Sequence, residues 1–176
     1  MPYADGGFHL VEQYRYTVKG RYWEFPQGSW EDKPDADPLA LARGELAEET
    51  GLTAGAMTPL ATFGAYGYCN QGFHVLLATD LTAGETNLDE TEAGLISRWF
   101  SEAEVRQPIA QGRFKDASSI AALALFQRHR AELGEQLTSW PCWANRQGPG
   151  GSSHAAPAVG RRKAPGRTGL TTRSCP

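Results

Sequence analysis

Cysteine is scarce in this chain. Only Cys69, Cys142 and Cys175 occur, an odd count with no CxxC pair. That usage argues against a disulfide framework or a zinc site and for reduced thiols in the cytoplasm. Long apolar runs are missing too: nothing approaches the roughly 18 residues that a membrane span requires. The first residues show no basic segment leading into an apolar one, so no signal peptide is expected either. No internal repeat is visible. Acidic residues vanish from Pro141 onward, where Arg146, Arg161, Arg162, Lys163, Arg167 and Arg173 stand unopposed. Removing those six from the 17 basic residues leaves 11 against 20 acidic ones, so a net charge of −3 conceals a body at −9. A body of that sign argues against a nucleic-acid polymer as the main partner. It admits a phosphate substrate only where metal ions carry the positive charge.

What is present divides the chain in two. Residues 1–139 alternate apolar and polar segments and supply the core of a single domain. Trp140–Pro176 is rich in Gly, Pro, Ser, Ala and Arg without a periodic apolar face. It cannot bury enough surface to offset the entropy of ordering, so a disordered, solvated basic tail is predicted there.

Within the domain the dominant stretch is Pro38 to Leu52, PLALARGELAEETGL. Asp37 suits an N-cap, Pro38 the first helical position and Gly51 the stop. Leu39, Ala42 and Leu46 define a buried side, while Glu45, Glu48 and Glu49 at i, i+3 and i+4 crowd one patch. Adjacent like charges repel by a few tenths of a kcal/mol each, a cost that a hard divalent cation removes. Mg²⁺ is the natural candidate, with Mn²⁺ as a substitute; a solvated acidic face is the plainer alternative. Strands are predicted at 8–16, 22–25, 60–66, 73–81 and 94–100. A capping box at Ser101–Glu104 opens a short helix. Asp116 caps a last helix, 117–133, whose Ile120, Leu123, Ala124 and Gln127 share a face. This order gives an α/β sandwich with a mixed β-sheet between helices.

The run Gly44-Glu45-Leu46-Ala47-Glu48-Glu49-Thr50-Gly51-Leu52 resembles the end of the Nudix box, and YWEFPQG (22–28) resembles the strand and turn that enter it. The VEQYRY (11–16) and FKDASS (114–119) segments resemble the ADP-ribose pyrophosphatase and nucleoside-diphosphate-sugar branch of that family. The resemblance spans about residues 5–133 and implies the Nudix αβα fold. It implies Mg²⁺-dependent hydrolysis of a nucleoside diphosphate linked to another group, ADP-ribose or an NDP-sugar, with metal held by Glu45, Glu48 and Glu49. A further glutamate after the box would serve as base, with Glu90 and Glu92 the candidates and Glu85 behind them. Arg15 would approach the phosphates, and Gln71 and His74 the metal or distal ribose. Gln27 and Gly28 would shape the loop and offer a backbone carbonyl. Plainer roles stand beside these: a strand-surface arginine, a core or rim histidine, and core packing for Trp23, Tyr66, Tyr68 and Phe73, which are otherwise candidates to stack on a base. Relatives usually carry N-terminal strands ahead of the segment that begins here at Tyr3. Their absence suggests a short form and leaves homodimerisation open.

The box also departs from the pattern. Gly44 stands where the family has arginine, and Arg43, one residue early, points about 100° away. Ala36 stands at the first glutamate position and Trp30 at the first glycine position. A longer loop would let Glu31, Asp32 or Asp35 substitute. The three glutamates remain, so activity is expected. A non-catalytic nucleotide-binding relative and a nucleoside-triphosphate pyrophosphohydrolase are the alternatives.

Overall fold

The strand β2 (Gly7–Arg15) organises the molecule, because its neighbours in sequence flank one edge and a strand some ninety residues away flanks the other. The structure is a computed structural model and describes residues 1–29, 36–88 and 94–135. On one edge of β2 lie the two-residue β1 (Tyr3–Ala4) and β3 (Gly20–Glu24), both antiparallel. On the other lies β6 (Ile96–Ser101), running from Gly7 opposite Ser101 to Glu12 opposite Ile96. The β2–β3 turn is tight: a 3₁₀ turn at Tyr16–Val18 ends on Lys19 in the left-handed region. A second antiparallel pair joins β4 (Leu52–Gly64) to β5 (Gly72–Ala83). Met1 and Pro2 link the two sheets. Pro2 makes a parallel bridge to Ala78, Ala78 N–H donates to Met1 O at 2.9 Å, and His9 N–H donates to Pro2 O at 3.1 Å. The mixed character expected of the sheet therefore rests on one parallel bridge.

Helix α1 (Pro38–Thr50) starts and stops where its sequence says it should. The Asp37 carboxylate accepts from Leu39 and Ala40 N–H, and Gly51 takes a left-handed φ of 69°. Leu52 then enters β4 directly. Gly51 is needed for both reasons that make glycine special: positive φ, and a Cβ that would stand 3.0 Å from Gly84 O. Gly51→Ala is expected to cost about 1–2 kcal/mol, read as a shift of the urea midpoint without a change of slope; an unchanged midpoint would remove this account of the helix stop.

The predicted strand at 60–66 begins eight residues earlier, at Leu52. Gly55 and Pro59 disguised it, since both oppose strand propensity. Among the described residues β4 pairs only with β5, so Pro59 sits on an edge, and the ladder shifts register between Pro59 and Ala61. Helix α2 (Glu102–Ala110) carries the full expected capping box. Helix α3 (Ala117–Glu132) has its predicted cap and buries Ser119, Ala122, Leu123 and Phe126; of the expected face, Leu123 is in the core and Ile120 packs against it, while Ala124 and Gln127 are not among the buried residues. Ala124 is exposed, and Ser119 is buried because its hydroxyl is needed inside.

Successive residues of a strand face opposite sides, and β5 shows what that does here. Val75 and Leu77 enter a core with Phe8, Leu10, Phe25, Val105, Leu123 and Phe126, while Ala78 packs with Leu46, Leu52 and Ala54. The helices α2 and α3 thus cover one side and α1 the other, giving three layers, αβα. No helix among the described residues is long and apolar enough to cross a membrane. The expected disordered tail, Trp140–Pro176, lies outside the described residues, as do Trp30, Glu31, Asp32 and Asp35.

Candidate active site

The chain leaving β3, Phe25 to Gly28, is clasped from both sides. On one side is the first turn of α3. Phe25 N–H donates to Ser119 Oγ at 2.8 Å, and Asp116 Oδ2 accepts from Ser119 N–H at 2.7 Å. The Ser118 hydroxyl lies 2.6 Å from Asp116 Oδ2 and 3.1 Å from the Gln27 side-chain amide. A serine has one proton to give. The shorter, charge-assisted contact takes it, so the Gln27 amide is satisfied by turning its NH₂ group to donate to Ser118 Oγ. Burial of Ser119 follows from the same logic, since without it Phe25 N–H would lose its acceptor.

On the other side is α1. Gln27 N–H donates to Glu49 Oε2 at 3.1 Å. Gly28 presses flat on Glu45: a Cβ there would fall 2.2 Å from Glu45 Oε2 and 2.5 Å from Oε1. Glu49 is 1% exposed and Glu45 8%, while Glu48 is half-buried and its carbonyl accepts from Asn87 N–H at 3.1 Å. The acidic patch is therefore not a solvated face. Residues i and i+4 share one line on a helix, so Glu45 and Glu49 both meet Gln27–Gly28. The apolar side expected from Leu39, Ala42 and Leu46 is fully buried only at Leu46. Arg43 turns away from the acids and donates from Nη1 to Ala54 O at 2.6 Å, tying α1 to β4.

A cleft of about 970 Å³ opens beside this clasp. Arg15, Gln27, Gly28, Gln71 and His74, all anticipated from sequence, line it together with Glu45. Glu48 and Glu49 are not part of its lining. Glu90 and Glu92 lie outside the described residues. His74 Nδ1 is 2.9 Å from Thr62 Oγ1 across the β4–β5 ladder. Of the other aromatics singled out, Trp23 packs edge-on against Phe100 at 4.7 Å and Phe73 pairs with Phe63 at 5.7 Å.

Sequence reasoning missed Glu24. It lies on the cleft wall, 2% exposed, and its carboxylate accepts from Gln13 Nε2 at 2.8 Å, from Arg15 Nε at 3.2 Å and from Arg15 Nη2. Gln13 and Arg15 both reach it across the β2–β3 ladder, and the available signal was the pairing of a QYR segment with WEF by the Lys19–Gly20 turn. Arg15 thus already has a carboxylate partner, while its side chain remains 40% exposed toward solvent.

Burial, opposed by the Arg15 guanidinium, holds the Glu24 carboxyl above its ordinary value of 4.5. The folded state then binds this proton more tightly than the unfolded chain. Its stabilising contribution is complete below pH 4.5 and is lost as pH rises through the folded value. Denaturation from pH 4.5 to neutrality should show wild type losing stability relative to Glu24→Gln; parallel curves would contradict the shift.

The donors suit a hard cation in kind, being carboxylate oxygens held beside a backbone turn. In number, no group of three His, Cys, Asp or Glu side chains among the described residues stands close enough to hold a metal ion.

Comparison with known proteins agrees with this architecture. The NUDIX domain model matches residues 3–123. The ADP-ribose pyrophosphatase of Mycobacterium tuberculosis is 31% identical over 121 residues, covering 68% of this chain and 58% of that protein. The ADP-ribose pyrophosphatase of Bacillus subtilis is 34% identical over 91 residues, covering 50% of this chain and 48% of its own length. The chain therefore spans only about half the length of these two relatives. A crystal structure of an ADP compounds hydrolase superposes with a TM-score of 0.64 at 22% identity, covering 77% of this chain and 72% of the other, which bears on the fold. With well over half of its residues matched from Tyr3 onward, and with the box helix clasped to the turn that enters it, the chain belongs to the NUDIX domain family.

Proposed function

We propose that this chain is a Nudix hydrolase that cleaves the diphosphate of a nucleoside diphosphate linked to a sugar, ADP-ribose foremost. The products are a nucleoside monophosphate and a sugar phosphate. One observation carries the reading: two buried glutamates a helical turn apart, Glu45 and Glu49, held against Gln27–Gly28 beside a cleft that Arg15 also lines. The names of the two relatives favour ADP-ribose within the class.

In this reading Glu45, Glu48 and Glu49 would hold Mg²⁺, or Mn²⁺ in its place, by drawing together from positions that are not a ready three-ligand set among the described residues. The ion supplies the positive charge that diphosphate oxygens require and makes water a better nucleophile. Arg15 turns its solvent-facing N–H groups to a phosphate while Glu24 fixes the rest of the guanidinium; a planar fork suits that bidentate contact. Gln27, Gln71 and His74 orient the sugar and phosphates from the cleft walls, and Gly28 keeps the backbone close enough for its carbonyl to take part. Glu90 or Glu92 accepts the proton of the attacking water. The working unit is residues 1–139, cytoplasmic, with a small nucleotide as partner rather than a nucleic-acid polymer or a membrane.

Hydrolysis of such a substrate turns a phosphatase-resistant diphosphate into two monoesters that a phosphatase attacks. Incubation with ADP-ribose and a panel of NDP-sugars, with and without Mg²⁺, should give phosphatase-dependent phosphate release only with the metal. Release confined to nucleoside triphosphates would move the chain to the triphosphate branch. No release from any nucleotide would leave a binding protein, the outcome that Gly44 at the box arginine position favours.

A further inference from the structure

Large apolar side chains on a protein surface are unremarkable singly and informative when organised. Among the exposed ones of the described residues, Tyr66 and Tyr68 alone stack on each other, with ring centroids 5.2 Å apart and planes 9° from parallel. They sit at the tip of the β4–β5 hairpin, 55% and 85% exposed. The tip is a defined turn: Ala65 N–H donates to Gln71 O at 2.9 Å and Cys69 N–H to Tyr66 O at 3.4 Å. Phe63 and Phe73, directly opposite in register, form a second ring pair at its base. Tyr66 lines the cleft with Gln71 and Arg15, and Tyr68 is not part of that lining.

We propose that Tyr66, backed by Tyr68, is the platform on which the heteroaromatic base of the nucleotide stacks. The proposal rests on the nucleotide reading above and adds a base subsite to it. Two parallel tyrosines offer a flat π-face that a third ring extends, and stacking tolerates any base because every base has such a face. The hairpin wall then holds the base while Arg15 and the acidic helix address the diphosphate, which assigns the two ends of the substrate to different parts of one cleft.

The test uses the full chain and two ligands that share a ribose phosphate and differ in the base: AMP and ribose 5-phosphate. On binding wild type, the adenine H2 and H8 resonances should move upfield under the tyrosine ring currents. In Tyr66→Leu/Tyr68→Leu the dissociation constant for AMP should rise about 5- to 150-fold, with that for ribose 5-phosphate unchanged. Because both rings are largely exposed, a thermal melt should show the fold intact. Unshifted resonances, an unchanged AMP affinity, or an equal loss for ribose 5-phosphate would each overturn the proposal. Turnover of ADP-ribose is scored separately, so failure of hydrolysis and failure of the base subsite are distinguishable.

Discussion

Glu49→Gln is expected to lower turnover of ADP-ribose by on the order of 10³-fold, the scale at which loss of one charge-stabilising group at a reacting centre is felt. The substitution is chosen for what it leaves alone. Glutamine keeps the shape of Glu49, and its amide oxygen can still accept the Gln27 N–H that now lies 3.1 Å away. A 1%-exposed side chain is thus replaced by an isostere that preserves its hydrogen bond from the Gln27 backbone. What disappears is the negative charge. Steady-state kinetics together with Mn²⁺ titration by calorimetry should show a fall in kcat and weakened ion uptake, with the thermal midpoint within a few degrees of wild type. Full activity in Glu49→Gln would mean that the carboxylate serves only to hold the turn.

Gly28→Ala is expected to reduce kcat about 10²-fold, because a displacement of around 1 Å at a reacting centre costs that much. Glycine is required here by space. The added methyl would occupy the volume of the Glu45 carboxylate, 2.2–2.5 Å from its oxygens and carbon, well inside any tolerated contact. Either Glu45 swings out of its 8%-exposed seat or the Pro26–Gly28 turn retreats from α1. The effect should fall on kcat more than on KM for ADP-ribose, since the base and sugar contacts are made elsewhere in the cleft. A second change, Gly28→Ala with Glu45→Asp, tests the cause: a shorter acid relieves the clash and should recover packing, seen as a higher melting temperature than Gly28→Ala alone. If Gly28→Ala leaves kcat at the wild-type value, the close approach to Glu45 has no functional meaning.

Local signals were legible where one residue type answers one local need. Asp37, Pro38 and Gly51 bounded α1, and Ser101 with Glu104 bounded α2, because caps depend on neighbours within four residues. Tertiary preferences were not legible. Nothing near Ser119 in sequence marks it for burial, and Phe25, 94 residues away in the chain, explains it. Ala124, which periodicity had placed inside, is exposed. Gly55 and Pro59 hid half of β4 because propensity scales average over strand positions, whereas an edge strand excuses both. For the site, Arg15, Gln27, Gly28, Gln71 and His74, expected near substrate, line one cleft. The Glu24 carboxylate escaped notice because a buried acid reads in sequence like any surface glutamate.

The pairing of Gly7 with Ser101 closes a loop of more than ninety residues. Contacts so far apart slow folding, because loop-closure entropy is lost before the contact is gained. On the ribosome, β2 emerges early, and the cover over Phe8 and Leu10 is completed only when β6 and then α3 arrive, whereas the β4–β5 hairpin can zip locally. Ser118 and Ser119, which fasten the turn over the acidic helix, arrive with the first turn of that same α3. Among the described residues the clasp around Phe25–Gly28 accordingly closes late, and a chain stalled before residue 116 holds the glutamates with that turn fastened from one side only.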